Sequence, residues 1–527
     1  MNRIHNYLVP LDFIIVGVYL LLLIAIGYWI SFVKTKQEGE NLFLANRSLK
    51  WYSIGLNMWG TNVGPSMLVA SASAGFTSGL VTGNFAWYAF PFIFLLATVF
   101  APRYLGAQVQ TLPEFMGKRF GQSTRNILAW YSIVTILISW LGLTLYSGGI
   151  LVSQILNFPM WLSILLLVVI SAFFAIAGGL KAIAFTNVFQ MLLLIIVSFI
   201  LAWLGFQKAG GLEGIIEKTP SHYWNLLKPI DDKDYPWLAI ALGYPVMGIW
   251  FWCTDQSMVQ SILGAKNLKQ GQLGANFIGW LKILDVALFI IPGICCFVLF
   301  PQLKNPDEAY MTMVVNLLPQ GMTGLIMAVL IAALISTIDS ALNSLSTVFT
   351  LDIYARKLNK QASNAQIVKT GRWVAVAGAI LAVGLALAMD SIRGLKLFDI
   401  FQAVLGFIAP PMAAVFLLGV FWKRTSTKAA NFVLSAGTLI SFTVAVFYLW
   451  VFPSREYPQW PHFLLLSFYI FCLLLFLGVL ISFFDKTTRE DTDLTLTTSA
   501  KTSRYVLIWW LILAIVMISF YIIFNGH

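Results

Sequence analysis

The residues best placed to do chemistry lie in one stretch, Ala332 to Asn343, which reads AALISTIDSALN inside a long apolar segment. Ala333, Ser336 and Thr337 are spaced i, i+3 and i+4, so a helix brings them onto one face. Two hydroxyls and the backbone carbonyls loosened by small residues are oxygen donors. Such a set suits a hard, weakly held cation rather than one that prefers nitrogen or sulfur. Sodium is the ion this chemistry points to. Asp339 follows, a carboxylate in a segment that is otherwise mostly oil-loving. The same residues also permit a purely structural reading, in which small side chains let helices pack closely and hydroxyls bond back to carbonyls.

Two further charged residues invite the same question. Lys282 falls in the middle of an apolar run, where an ammonium costs about 2.5–3.5 kcal/mol unless it meets a partner or water. Asp285, one turn later, offers an internal partner. Alternatively Lys282 faces a cavity, where it would donate to a hydroxyl or carboxylate. Asp255 lies near the cytoplasmic end of its run and reads as a solvated or loop-paired carboxylate.

The elements that must position these groups are membrane helices. The chain has 527 residues, is 59% hydrophobic and only 10% charged, and has a mean hydropathy of +0.82. That composition, spread over many separate runs of about twenty residues, describes an all-α polytopic membrane protein. The periodicity and run lengths predict fourteen spans: 10–32, 51–75, 81–101, 126–154, 159–178, 184–205, 236–262, 273–300, 320–350, 367–388, 397–420, 428–452, 461–484 and 504–524. The first run is too long for a signal-peptide core and lacks a small-residue cleavage site. The net charge of +11 fits basic cytoplasmic loops better than nucleic-acid binding. Lys and Arg concentrate in the loops that follow odd-numbered spans, which makes that side cytoplasmic and places both termini outside. The longest outer loop, 206–235, mixes signs and has room for a short surface helix, whereas the inner loop 485–503 is polar and reads as flexible.

Two spans carry matching interruptions. Span 2 contains Gly60-Thr-Asn-Val-Gly64-Pro65-Ser66, and span 7 contains Gly243-Tyr-Pro245-Val-Met-Gly248. Proline removes a backbone donor and glycine lets the chain leave the helix. Irregular backbone is tolerated at membrane depth only where it lines a cavity or is buried in protein. The interruptions are five spans apart, as expected of two five-helix repeats of inverted topology, an arrangement common among secondary transporters. A pair of ordinary proline kinks is the other reading.

Other classes find little support. The four histidines (His5, His222, His462 and His527) lie at termini, in a loop and at a span edge, without an HExxH pattern. No GxxxxGK[ST] occurs, so the sequence offers no phosphate loop for ATP hydrolysis. Cys253, Cys295, Cys296 and Cys472 all lie within apolar runs and suggest neither a disulfide framework nor a metal quartet. Neither an enzyme nor a cofactor is implied. A channel would need repeated polar rings along a water path, which are not evident.

Several strings then resemble one family: TLPEFMGKRFG (111–121), GGLKAIAFTNVFQ (178–190), WFWCTDQSMVQSILGAKNL (250–268), LKILDVALFIIPG (281–293), SALNSLSTVFTLDIY (340–354) and QAVLGFIAPPMAAVFLLGVFWKR (402–424). Long and in the expected order, they are similar to the sodium/solute symporter family, nearest its sodium/glucose cotransporter branch. The resemblance runs from about residue 10 to 450. It implies a leucine-transporter-like bundle with a five-plus-five inverted repeat (about 51–205 and 236–420) within one transmembrane symporter domain, 1–485. A cytoplasmic loop (485–503) and a last helix with an outer C-terminus (504–527) follow. It also implies residence in the cell (inner) membrane, with sodium, a small solute and the bilayer as partners and sodium as the coupling ion.

The family's sodium site implies carbonyls of Gly60 and Val63, the carbonyl of Ala333, and the hydroxyls of Ser336 and Thr337. Where many relatives read Thr-Asp, this chain has Thr186-Asn187. That departure puts a second sodium site in doubt and leaves Asn187 and Asp339 as candidates along the ion path. Of four positions that bind hydroxyls in sugar-transporting relatives, Lys282 and Gln402 match, whereas Ala86 and Gly248 do not. The stacking aromatic falls on Phe251, with Trp252 beside it. The resemblance implies import of a sugar or sugar derivative by alternating access. With Ala86 replacing a glutamate, an anionic sugar becomes an expectation if Lys282 faces the cavity. The alternative is a sodium or proton symporter for a polyol, monocarboxylate, amino acid or vitamin.

Overall fold

The computed structural model describes residues 8–28, 43–232, 234–390, 397–454, 456–457, 459–485 and 502–524. Most of the loop expected to be flexible, 485–503, lies outside the described residues. Those described form helices, with isolated bridges at Leu49–Ala265 and Lys228–Pro236. The helices that matter here are α1 (Pro10–Tyr28), α2 (Trp51–Asn62), α3 (Pro65–Ser78), α4 (Gln122–Thr135), α5 (Met160–Lys208), α6 (Trp237–Gly248) and α7 (Gln256–Leu263). They continue with α8 (Leu268–Asp285), α9 (Met322–Val348), α10 (Asn364–Asp390), α11 (Leu397–Phe421), α12 (Thr427–Val446), α13 (Phe463–Phe484) and α14 (Arg504–Ile523). In the outer loop expected to hold a surface helix, Gly211–Lys218 is helical.

Among the described residues, 11 helices are long and apolar enough to cross a membrane, and Pro10–Ile26 and Met160–Phe173 are shorter apolar helices. The fourteen expected spans divide differently for physical reasons. Span 2 is cut in two, and spans 5 and 6 fall within the single element α5. A straight helix would hold Leu167 and Met191 about 36 Å apart. Leu167 meets Leu334 beside Gly148, and Met191 packs on Gly60, whose carbonyl faces Thr337. Both therefore reach the same part of α9, so α5 is bent between them.

The interruption in span 2 is real. Asn62 ends α2, Val63 is non-helical (φ −90, ψ 66), Gly64 is extended and Pro65 opens α3. Proline is at home there, because the first turn of a helix leaves its N–H groups unpaired anyway. Span 7 departs from expectation. Gly243 to Gly248 stays helical with Pro245 inside it, and the helix runs on through a π-helical turn to Thr254. The break falls instead at Asp255, which is extended and accepts N–H bonds from Ser257 (2.9 Å) and Met258 (3.1 Å) to cap α7. Asp255 caps the start of the next helix, whereas the one bond lost at Pro245 is absorbed within the membrane helix. Asp255 is thus buried, at 3% exposure, and not solvated as its position in the sequence suggested. Gly243 serves packing: a Cβ there would stand 2.2 Å from the carbonyl oxygen of Leu464.

α9 is the axis of the molecule, with 94% of its most apolar window buried. Its start is fixed by Asp12 of α1, whose Oδ1 accepts the N–H groups of Gly321 (2.9 Å) and Gly324 (2.8 Å). A carboxylate at this end also suits the helix dipole. Close approach elsewhere depends on missing side chains. A Cβ on Gly293 would lie 2.1 Å from Ala72 O, and one on Gly75 would lie 2.3 Å from Ile290 O, so α3 and helix Ile291–Leu299 touch backbone to backbone.

Candidate functional site

The oxygen-bearing face of α9 meets the break between α2 and α3. Thr337 Oγ1 donates to Ala333 O at 3.2 Å and lies 3.4 Å from Gly60 O, within hydrogen-bond range of both. A Cβ on Gly64 would stand 3.2 Å from the same hydroxyl, so the backbone beside Val63 also lies against Thr337. Ser336 is fully buried and its Oγ has no protein partner among the described residues. Buried hydroxyls are rarely left so, because the lost water bonds cost free energy. A serine donates readily to its own helix, so an orphan Oγ in the residue next to Thr337, whose hydroxyl meets two carbonyls, fits a set of neutral oxygens around a cation.

One turn further along α9, Asp339 is buried and its Oδ1 has no protein partner among the described residues. Asn187, on α5, is buried too. Its Nδ2 donates to Asn57 Oδ1, and its own Oδ1 has no protein partner among the described residues. Both residues lie on helices that pack along one another.

Beside the break is a narrow cavity of about 60 Å3 that opens partly to solvent. Aromatic and apolar side chains dominate its wall, with Asn62, Ser139, Tyr244 and Gln402 as the polar contributors. Phe251 packs among three indoles, with ring centroids 5.4 Å from Trp140, 6.0 Å from Trp250 and 4.9 Å from Trp252. An aromatic face of this kind suits an apolar ring face of a ligand, while sparse polar groups orient its hydroxyls.

Of the expected solute contacts, Gln402, Phe251, Trp252 and Gly248 line this cavity. Gly248 is closed to larger residues, since a Cβ there would stand 2.4 Å from the Phe92 ring. Lys282 and Ala86 are not among the lining residues. Ala86 is buried next to Phe85, which is. Lys282 is 1% exposed and pairs with Asp285, and it donates to Asn62 Oδ1 at 2.8 Å. Its Nζ also lies 5.7 Å from the Trp252 ring centroid. Asp285 in turn accepts from Trp59 Nε1 at 2.7 Å. The internal pair was one of the two readings of Lys282, and it is the one found. The lysine stands behind the cavity wall and reaches it through Asn62 and Trp252.

Sequence reasoning missed Asn62, Ser139, Trp140 and Tyr244. Asn62 was findable, as the polar residue immediately before a helix break. Ser139 and Trp140 carry no such signal, because span 4 is an unbroken apolar run.

A profile of the Sodium:solute symporter family matches residues 42–437. The chain belongs to the sodium:solute symporter family. Within that family it is 32% identical over 483 residues to the sodium/glucose cotransporter 1 of Ovis aries, covering 83% of this chain and 72% of that protein. It is 31% identical over 487 residues to the sodium/myo-inositol cotransporter 2 of Oryctolagus cuniculus, covering 85% and 72%. Among solved structures, the substrate-bound outward-open state of a Na+-coupled sialic acid symporter superposes with a TM-score of 0.78 at 19% identity, covering 91% of this chain and 99% of that one. A nucleobase-cation-symport-1 family transporter in a closed conformation gives 0.54 at 15% identity, covering 87% and 98%. This symporter is thus an all-α membrane protein of the leucine-transporter-like fold, as its sequence implied.

Proposed function

We propose that this symporter couples inward sodium movement to import of a neutral sugar or polyol by alternating access. The observation that carries the reading is a shared hinge. Asn62 lines the solute cavity, while Gly60 and Gly64 on either side of it lie against Thr337 on the hydroxyl face of α9. A cation held by Gly60, Val63, Ala333, Ser336 and Thr337 therefore fixes the backbone on which one cavity wall is built. Sodium shifts the equilibrium only in so far as it binds the solute-competent shape better than the other. At an inside-negative potential, one charge moved per cycle supplies about 2.3 kcal/mol per 100 mV.

The neutral class follows from charge. The residues lining the cavity carry none, and Lys282 is already matched by Asp285. An anionic sugar, an expectation while Lys282 was read as facing the cavity, loses its cationic donor. The relatives named above for glucose and myo-inositol are cotransporters of neutral solutes, which supports the same reading. Gln402, Asn62, Ser139 and Tyr244 supply the hydroxyl contacts, and Phe251 with its indole neighbours closes on the apolar side. Asn187 and Asp339 mark the route by which the ion leaves.

Uptake into proteoliposomes tests this. A panel of hexoses, N-acetylated and acidic sugars, inositol, proline and lactate is offered with and without an inward sodium gradient. Uptake of a neutral hexose or inositol that needs sodium and ignores a pH gradient alone is the expected result. Uptake confined to acidic sugars, proline or lactate would overturn the solute class, and uptake driven by protons alone would overturn the ion.

A further inference from the structure

A second concave site lies at one membrane face, away from the solute cavity. Gln122, Arg356, Lys357 and Lys360 line it. These residues sit where α4 begins, where the helical extension of α9 (Phe349–Leu358) ends, and in the loop before α10. The three cations have no carboxylate within salt-bridge distance among the described residues. The one buried carboxylate nearby, Asp352, is engaged by Arg125 Nε at 2.6 Å. Arg356 is held rigidly by uncharged acceptors: Nε donates to Asp352 O at 3.0 Å, Nη1 to Gln122 Oε1 and Nη2 to Asn126 Oδ1. Three of a guanidinium's five N–H groups are thereby spent, and a fixed fork with spare donors remains. The positive end of α4, a 14-residue helix, adds to the same field.

What lies next to the pocket selects the ligand. Two turns along α4 from Gln122, Trp130 is 51% exposed and meets Phe349 edge-on at 6.4 Å. Phe349 is about two turns before Arg356, so an aromatic pair stands about 10–12 Å deeper on the same two walls. A cationic pocket at the level of a membrane surface, continued inward by an exposed indole, matches a phosphate-bearing headgroup above its glycerol and acyl chains. We infer that this pocket binds the headgroup of an anionic phospholipid of the bilayer. It needs no assumption about the transported solute. By the Lys and Arg distribution the leaflet is the cytoplasmic one.

Dioctanoyl phosphatidylglycerol and dioctanoyl phosphatidylcholine are titrated into the detergent-solubilised full-length protein, with binding followed by tryptophan fluorescence. Inorganic phosphate and glycerol phosphate serve as the soluble arms. The wild type is expected to prefer phosphatidylglycerol. Lys357→Gln with Lys360→Gln is expected to weaken that binding on the order of 25-fold, about fivefold per lysine, and to leave phosphatidylcholine unchanged. Arg356→Lys, which keeps the charge and loses the fork, is expected to weaken it further than charge alone would. Sodium-driven uptake by the lysine double variant establishes that it is folded. Unchanged phosphatidylglycerol affinity in that variant, or equal affinity for the two lipids, would overturn the site. Displacement by inorganic phosphate at equal concentration would assign it to a free anion and overturn the lipid.

Discussion

At the scale of single residues, two groups carry the coupling argument. Ser336 has a buried Oγ with no protein partner among the described residues, and Thr337 places its Oγ1 between two carbonyls. If these hydroxyls hold sodium, Ser336→Ala and Thr337→Ala should each raise the sodium concentration for half-maximal uptake about tenfold, corresponding to about 1.4 kcal/mol and near the upper range for one hydrogen-bonding group. Wild-type sodium dependence in both variants would remove the site. Lys282 gives the contrasting case of a charge that matters through its partner. Lys282→Met leaves Asp285 buried and unmatched, and should cost about 3–5 kcal/mol of stability. Lys282→Met combined with Asp285→Leu should recover most of that loss, because removing both charges removes the uncompensated one. Thermal unfolding of the three variants in detergent reads the cycle. A double variant no better than Lys282→Met would mean that the lysine contributes through Asn62 and Trp252 rather than through Asp285.

Individual helices are set by their ends. Asp12 accepts two N–H groups at the start of α9 and ties that helix to α1. Asp12→Ala should therefore cost about 1–2 kcal/mol, the range of a lost N-cap, read as a lower unfolding temperature. α13 starts at His462, whose Nδ1 accepts from Leu464 N at 3.3 Å while Nε2–H donates to Asp234 O at 3.0 Å. That pairing requires the neutral ring, and burial pushes its pKa down to about 4. A histidine titrating near 6.5 when unfolded binds its proton more readily there than in the fold. Its contribution to stability is therefore full above about pH 6.5 and is lost as pH falls toward about 4. His462→Gln should flatten the stability profile across that window. A profile identical to the wild type would show that His462 does not titrate there.

The whole molecule is organised by a helix that is buried on every side yet polar at its centre. α9 meets α2, α3, α5 and α1, so a change at its hydroxyl face is felt by the broken helix and the cavity wall together. The Lys and Arg distribution predicts that both termini face outside. Cysteines introduced one at a time at Asn6 and Asn525 should then react with a membrane-impermeant maleimide in intact cells, whereas one at Ser363, in the loop before α10, should not. Labelling of Ser363→Cys but of neither terminus would reverse the orientation.

The sequence by itself determined what depends on local composition and spacing. Runs of twenty apolar residues require membrane helices, and Ala333, Ser336 and Thr337 must share a face of one of them. These follow from helix geometry and from the backbone's need for hydrogen bonds in oil. Tertiary structure decided what depends on partners distant in the chain. Gly243-Tyr-Pro245 reads as a break, yet the helix continues to Thr254, and the next helix begins where the Asp255 carboxylate reaches two N–H groups. Lys282 reads equally as a cavity donor or as one half of an ion pair. Only the packing of α2 against α8, which brings Trp59 and Asn62 to the pair, turns it behind the wall. Ser139 and Trp140 line the cavity beside the break because span 4 crosses beside span 7, and no pattern in span 4 announces that neighbour.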